Sequence, residues 1–346
     1  MIRQIGPLPT DNSIPSYLIA EIGLCHNGSF EIAKKLIYES FIAGATLVKF
    51  QKRNIERLLN IKSCNEPFIK FPSAGLTQYQ VRPKLEFNLS EYQELFNYSK
   101  SLGLIPFSTV FDHASLEFIL KLKPSYLKIA SHSSSDYQLI NSIIETKIPF
   151  MISTGGLISS EKESLLDLLP KDRAVIMHCV SSYPSKPSEQ YLSTIEEYKK
   201  RGFVVGFSTH ECGYIGSLIA ASMGARFIER HITLSNASIG FDHGISMEPH
   251  EFKEMALAIR SQNQMMGTKK DLLKVEHAAR HNYHCGVFVN RDIKKDEIIN
   301  LDDVYLQQPL GSNEDSITGI GFHSLSIKKA SRNIDKGSQL KKTDFF

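Results

Sequence analysis

The stretch FIERHITLSNASIGFDHG, residues 227–244, sets Glu229, Arg230, His231, Thr233, Asp242 and His243 after a short apolar start. On an extended segment, residues two apart project from the same face, so Glu229 and His231 share one side. A carboxylate beside an imidazole suits metal chemistry or proton transfer. A second histidine, His210, ends the run GFSTH. If the two segments are neighbouring strands, about 4.8 Å apart, both rings reach one divalent metal with coordination positions left open. Two hydrogen-bonded histidines are the competing reading.

Two lysines stand out in the same way. Lys49 in LVKFQ and Lys128 in YLKIAS interrupt apolar runs. A cation there is costly unless an anion compensates it. Thr109, Ser131, Ser153 and Ser208 are neutral donors at matching places. The group suits a ligand carrying a phosphate and a carboxylate. A pair of structural salt bridges explains the lysines as well. Gln51 and the run SSYPS, with Ser181 and Tyr183, have the hydroxyl and amide character that fixes a polyol. An ordinary Ser-rich turn before a helix has the same composition.

These residues gather at or just beyond the ends of eight β-rich runs: 16–23, 46–51, 104–109, 126–131, 149–154, 174–179, 203–208 and 226–231. Helical patterns fill the gaps at 30–43, 90–102, 113–122, 137–146, 159–169, 188–201, 212–223 and 249–265. Ser90 followed by Gln93, and Ser159 followed by Lys162 and Glu163, read as helix starts. Eight strand–helix units predict an α/β fold, a closed (β/α)8 TIM barrel, with an open doubly wound sheet as the alternative topology. In a barrel the strand C-termini build the active face. Glu21 ends the first run, and closure makes that run the neighbour of the eighth. Residues 52–89 form a long connection with Pro67, Pro72 and Pro83, which a barrel would carry over that face.

The pattern changes after residue 266. RDIKKDEIINLDDV (291–304) aligns with RNIDKGSQLKKTDF (332–345) at an offset of 41. Two such copies predict a small pseudo-twofold β-rich domain. The expected organisation is a barrel at 1–266, a linker at 267–282 and the small domain at 283–346.

Composition narrows the class. With 346 residues, 42% apolar and 22% charged, the chain is globular. A net charge of +3, without a basic tract, argues against nucleic-acid binding. No apolar stretch is long enough to span a membrane, and MIRQIGPLPTDNSIP lacks the core of a signal peptide. Five scattered cysteines without a CxxC pair suit a reducing, cytoplasmic setting.

The pieces AEIGLCHNGSFEIAKKLI, AGATLVKFQKR, STVFD, YLKIAS, ISTGG, HCVSSYPS, GFSTHECG, ERHITL and FDHGISMEP occur in this order. In them the chain resembles the sialic acid synthase family, the N-acetylneuraminate synthases and their legionaminic and pseudaminic acid relatives. The C-terminal repeat resembles that family's antifreeze-like (SAF) β-clip domain. The resemblance implies condensation of phosphoenolpyruvate with an N-acylated hexosamine, N-acetylmannosamine or a modified relative, to a nonulosonic acid and phosphate. It implies a divalent metal, most often Mn2+ with Mg2+ or Co2+ as alternatives, on His210 and His231. Lys49, Thr109, Lys128, Ser131, Ser153 and Ser208 would hold phosphoenolpyruvate. Gln51, Ser181, Tyr183 and Asp242 would face the sugar. Glu21 would act on the attacking water and Glu229 would support the metal-bound water. A domain-swapped homodimer is implied too. The chain departs from the family pattern at Gln308, where an arginine is usual, at Ser133, where a glutamate is usual, and at Thr209. A Schiff-base aldolase using Lys128, another phosphoenolpyruvate–aldose condensation and a non-catalytic sugar-binding protein are the alternatives.

Overall fold

Strands buried on both faces read as nearly continuous apolar runs, and YLIAEIG is buried from end to end. In the computed structural model, which describes residues 4–11, 13–67, 75–267, 271–326 and 328–346, this run is the first of eight parallel strands. They are β1 (Tyr17–Gly23), β2 (Leu47–Lys52), β3 (Ile105–Val110), β4 (Leu127–Ile129), β5 (Phe150–Ser153), β6 (Ala174–His178), β7 (Val204–Ser208) and β8 (Phe227–His231). β8 pairs with β7 through Glu229 and Ser208, and with β1 through His231 and Glu21. The sheet therefore closes, and the open-sheet alternative is excluded.

The boundaries differ from expectation in instructive places. β4 ends at Ile129, because Ser131–Ser133 turns into a 3-10 helix. The second long helix starts at Leu89, where Asn88 caps it and Glu91 closes a capping box, so Ser90 is not the start. The helix at Ser159–Leu168 begins with the Glu161 carboxylate accepting from the Ile158 backbone N–H. The expected structureless connection after β2 holds short helices at Ile55–Leu58, Ile61–Asn65 and Gln78–Val81, capped by Asn54, Asn60 and Thr77. Their caps were readable, but four or five residues give too few periodic apolars to betray a helix.

Apolar packing fills one end of the barrel. Tyr17, Tyr126 and Phe227 sit with Ile5, which comes from a hairpin of Gln4–Ile5 and Leu8–Pro9. The Tyr126 hydroxyl donates to the Ile5 carbonyl at 2.5 Å and the Tyr17 hydroxyl to the Pro9 carbonyl at 2.9 Å. Gly6 permits the approach, since a Cβ there would meet the Tyr126 ring at 2.8 Å. The hairpin thus caps the N-terminal ends of the strands and leaves the C-terminal ends for polar residues. No helix among the described residues is long and apolar enough to cross a membrane.

A second compact unit spans Thr268–Phe346. Most of the stretch expected as a linker folds with it, including the helix His277–Tyr283. Its core gathers Val287, Val289, Ile293, Phe322, Ile334 and Leu340, and strand β9 (Gly286–Val289) pairs antiparallel with β10 (Val304–Gln307). The repeat is visible as reciprocal bonds. Arg291 Nε meets Asp303 at 2.7 Å, and Arg332 Nε meets Asp344 at 2.7 Å. The Asp292 carboxylate accepts from Lys336 N and the Asn333 amide from Lys295 N, each at 2.8 Å. Ile293 and Ile334, equivalent in the repeat, bridge each other on the axis.

Candidate active site

The C-terminal ends of the strands open into a cavity of about 650 Å³, inside the ~300–1,000 Å³ range of small-molecule sites. Its floor is a buried ionic cluster. Lys49 donates to Thr109 Oγ1 at 2.7 Å, pairs with Glu21, and lies 3.6 Å from Glu229 Oε1. Lys128 donates to Ser153 Oγ at 2.8 Å and stands 3.5 Å from Glu229. The Ser208 hydroxyl donates to Glu229 at 3.0 Å. Strand register explains the grouping: Glu21 is level with Lys49, and Thr109 with both Gln51 and Lys128.

The anions that compensate the lysines are therefore the protein's own glutamates. Burial acts upward on Glu229, but Lys128, Lys49 and the Ser208 hydroxyl outweigh it and hold the carboxyl well below the usual range. Burial lowers Lys128, partly offset by Glu229. At Lys49 burial also acts downward, yet Glu21 and Glu229 reverse it and the ammonium is held more firmly than usual.

His231 ends β8, level with Glu21, and His210 follows β7. The rings of His210 and His231 lie 5.3 Å apart, and Tyr183 covers His210 at 4.0 Å. The Nδ1 atoms of both are buried without a hydrogen-bond partner. This counts against the reading of two hydrogen-bonded histidines. His231 Nδ1 is 3.9 Å from Asp242 Oδ2. Burial, followed by the nearby His231, pushes His210 far down and keeps its ring neutral. Two imidazoles with unused Nδ1 atoms are donors of the kind a divalent transition metal takes. Among the described residues no group of three or more His, Cys, Asp or Glu side chains is placed to hold a metal ion, so the candidate donors are the two histidines alone.

Of the residues predicted from sequence, Lys49, Gln51, Thr109, Lys128, Ser131, Ser153, Tyr183, Ser208, His210, Glu229, His231 and Asp242 all line this cavity. Glu21 lies just beneath, fully buried, accepting from Gln51 Nε2 at 2.7 Å. Ser181 is exposed and stands off the cavity wall, its hydroxyl near Gly155. Asp242 holds a left-handed backbone (φ 64°), a conformation non-glycine residues rarely take. The remaining polar groups of the 227–244 stretch do other work. Arg230 points to the helix side, bonding the Glu211 and Gly213 carbonyls. Thr233 bonds His243, which also reaches Asn27 at 3.3 Å and ties this loop to the one after β1.

Two of the unusual positions turn away from the cavity. Thr209 bonds Gln190, and the Ser133 hydroxyl donates to the Phe111 carbonyl. Gln308 belongs to the second unit and bonds the Tyr283 carbonyl there. Sequence reasoning passed over Arg53, Arg82, His132, Phe111 and Phe241, which also line the cavity. Arg53 had a signal, being on the same alternating face as Lys49 and Gln51. Arg82 had none, because it arrives from the long insertion after β2.

A closed barrel with its titratable groups gathered at the strand C-termini has the layout of a TIM-barrel enzyme. Comparison with known proteins narrows this. Residues 36–271 match the model of the NeuB family. N-acetylneuraminate-9-phosphate synthase of Drosophila melanogaster is 35% identical over 248 residues, covering 70% of this chain and 67% of that protein. The N,N'-diacetyllegionaminic acid synthase of Legionella pneumophila is 30% identical over 315 residues, 88% of each chain. The solved N-acetylneuraminic acid (sialic acid) synthetase of Leptospira borgpetersenii superposes with a TM-score of 0.67 at 26% identity, over 80% of this chain and 94% of that one. The chain belongs to the NeuB family.

Proposed function

We propose that this enzyme condenses phosphoenolpyruvate with the open-chain aldehyde of an N-acylated hexosamine, giving a nine-carbon 2-keto-3-deoxy acid and phosphate. The observation that carries this reading is one cavity that brings lysines and hydroxyls together with two histidines whose Nδ1 atoms have no partner, His231 beside Asp242. The relatives named as sialic and legionaminic acid synthases support it.

In this scheme the π pair of phosphoenolpyruvate forms the bond from C3 to the aldehyde carbon. Water adds at C2, and the phosphate leaves as C2 becomes a ketone. Lys49, Lys128, Thr109, Ser131, Ser153 and Ser208 hold the two acidic groups of phosphoenolpyruvate. Glu21, in contact with Lys49, takes the proton from the water. Gln51, Tyr183 and Asp242 orient the sugar, with Ser181 at its margin. His210 and His231 would hold a divalent metal, Mn2+ first, with Glu229 behind it, and the metal would supply Lewis-acid polarisation of the aldehyde. The working form is proposed to be a domain-swapped homodimer, which light scattering would show at twice the 39.0 kDa of one chain.

The experiment is phosphate release from phosphoenolpyruvate with Mn2+ and a panel of hexosamines, with mass spectrometry of the product. Failure of every hexosamine in the panel to give phosphate would sink the proposal. His231→Ala is expected to abolish turnover and leave the circular dichroism spectrum unchanged; retained activity removes the metal assignment. One observation favours a second reading: burial lowers the Lys128 ammonium, as a Schiff-base lysine requires. Borohydride with pyruvate would trap such an adduct, and no trapping is expected here.

A further inference from the structure

We infer that Arg230 and Glu211 are positioning residues, a buried pair on the helix side of the barrel wall that holds the rings of His210 and His231 side by side, ready to share one metal. The inference rests on the metal reading above and concerns how this chain presents the two imidazoles.

The need arises where the sheet stops. β7 and β8 are paired only as far as Ser208 and Glu229. Past that rung, Thr209 N still donates to the Glu229 carbonyl at 3.3 Å. At the next level the two chains turn to other partners. The His210 carbonyl accepts from Ser185 N at 3.1 Å, and the His231 carbonyl from Met247 N at 2.9 Å. The rings are not fixed at their Nδ1 atoms either, since both lack a hydrogen-bond partner. A histidine that ligates a metal usually has its ring held by a bond to a carboxylate or a carbonyl.

Alternation puts the missing restraint on the other face. His210 and His231 line the cavity, so their chain neighbours Glu211 and Arg230 turn towards the helices. The Arg230 guanidinium, only 1% exposed, reaches across from β8 to the loop after β7. Its Nη2 donates to the Glu211 carbonyl at 2.7 Å. Its Nη1 donates to the Gly213 carbonyl at 2.5 Å and, at 3.4 Å, to Glu211 Oε1. Glu211 is anchored in turn. Its carboxylate accepts from Gly216 N, Ser217 N and Ser217 Oγ, each at 2.8 Å. Gly216 permits this, since a Cβ there would stand 2.7 Å from Glu211 Oε2. One planar fork on β8 thus grips three oxygens of the loop that carries His210, and Glu211 pins that loop to the helix Ile215–Ser222.

Stability alone does not call for such a pair. Burying two charges costs desolvation that apolar side chains of similar volume avoid, and the best-attested gain is specification of geometry. A lysine would supply the charge without the fork.

The test measures Mn2+ binding to the substrate-free protein, from the electron paramagnetic resonance signal of the free ion. Arg230→Met and Glu211→Gln are expected to weaken it at least about tenfold. Arg230→Lys should fall between the natural chain and Arg230→Met. At saturating Mn2+, KM for phosphoenolpyruvate should change less than about threefold. Ile143→Ala, in the core under the helix after β4, controls for lost stability alone: it should melt at a lower temperature and bind Mn2+ as the natural chain does. If Arg230→Met does not fold, Glu211→Gln, which keeps an amide in place of the carboxylate, makes the same comparison. A smaller loss in the variants that fold, a loss that Ile143→Ala reproduces, or an equal rise in KM for phosphoenolpyruvate overturns the positioning role and leaves the metal reading standing. A natural chain that takes up no Mn2+ overturns the metal reading, and this inference with it.

Discussion

At the scale of single residues, the site is an exercise in paired burial. Glu229 touches Lys49, Lys128 and Ser208, so its removal strands Lys128 in a closed floor and leaves Lys49 with Glu21 alone. Breaking such a pair costs about 3–5 kcal/mol. Its carboxyl is held below the ordinary range, so its contribution is fully present above the unfolded carboxylate value of about 4.3 and fades as pH falls below that. Glu229→Gln should therefore be much less stable than the natural chain at pH 7, and the gap should narrow by pH 3. Urea unfolding at the two pH values measures it; a gap that stays constant would mean that Glu229 is not ion-paired.

At the scale of elements, the barrel was legible because its strands are apolar runs of the right length at a regular spacing. The chemistry was legible for the same reason. A lysine inside LVKFQ or a histidine ending FIERH contradicts its surroundings, and alternation then says which way it points. What alternation could not reach was the insertion after β2, whose short helices have no period and whose Arg82 enters the cavity from outside the barrel's rhythm. That segment is seated on Gly28. With φ +79° and the Lys84 carbonyl oxygen 2.2 Å from where a Cβ would stand, the position tolerates no side chain. Gly28→Ala is expected to lower stability by about 1–3 kcal/mol. It should also weaken acceptor binding more than phosphoenolpyruvate binding, since the displaced residues lead directly to Arg82, which lies over Phe241 next to Asp242. Steady-state kinetics in both substrates would show the split, and equal effects on both would argue against it.

At the scale of the molecule, two units carry separate cores. The barrel packs on clusters within residues 1–267, and the C-terminal unit on its own set around Val289 and Ile334. A charge at the crossing of the repeat, Ile334→Asp, is expected to unfold the second unit and spare the first. Limited trypsin digestion should then leave a fragment ending near residue 267. A chain digested as a whole would show instead that the barrel depends on the other unit.

The reciprocal bonding of the repeat has a consequence for the order in which the protein is made. The Asp292 carboxylate waits for the backbone of Lys336, and the backbone of Lys295 for the side chain of Asn333. At about 5–20 residues per second on the ribosome, the first copy is synthesised roughly 2–8 seconds before its counterpart. For that interval Ile293 lacks its bridging partner Ile334, and a nascent chain beside it on the same messenger carries the identical complementary segment.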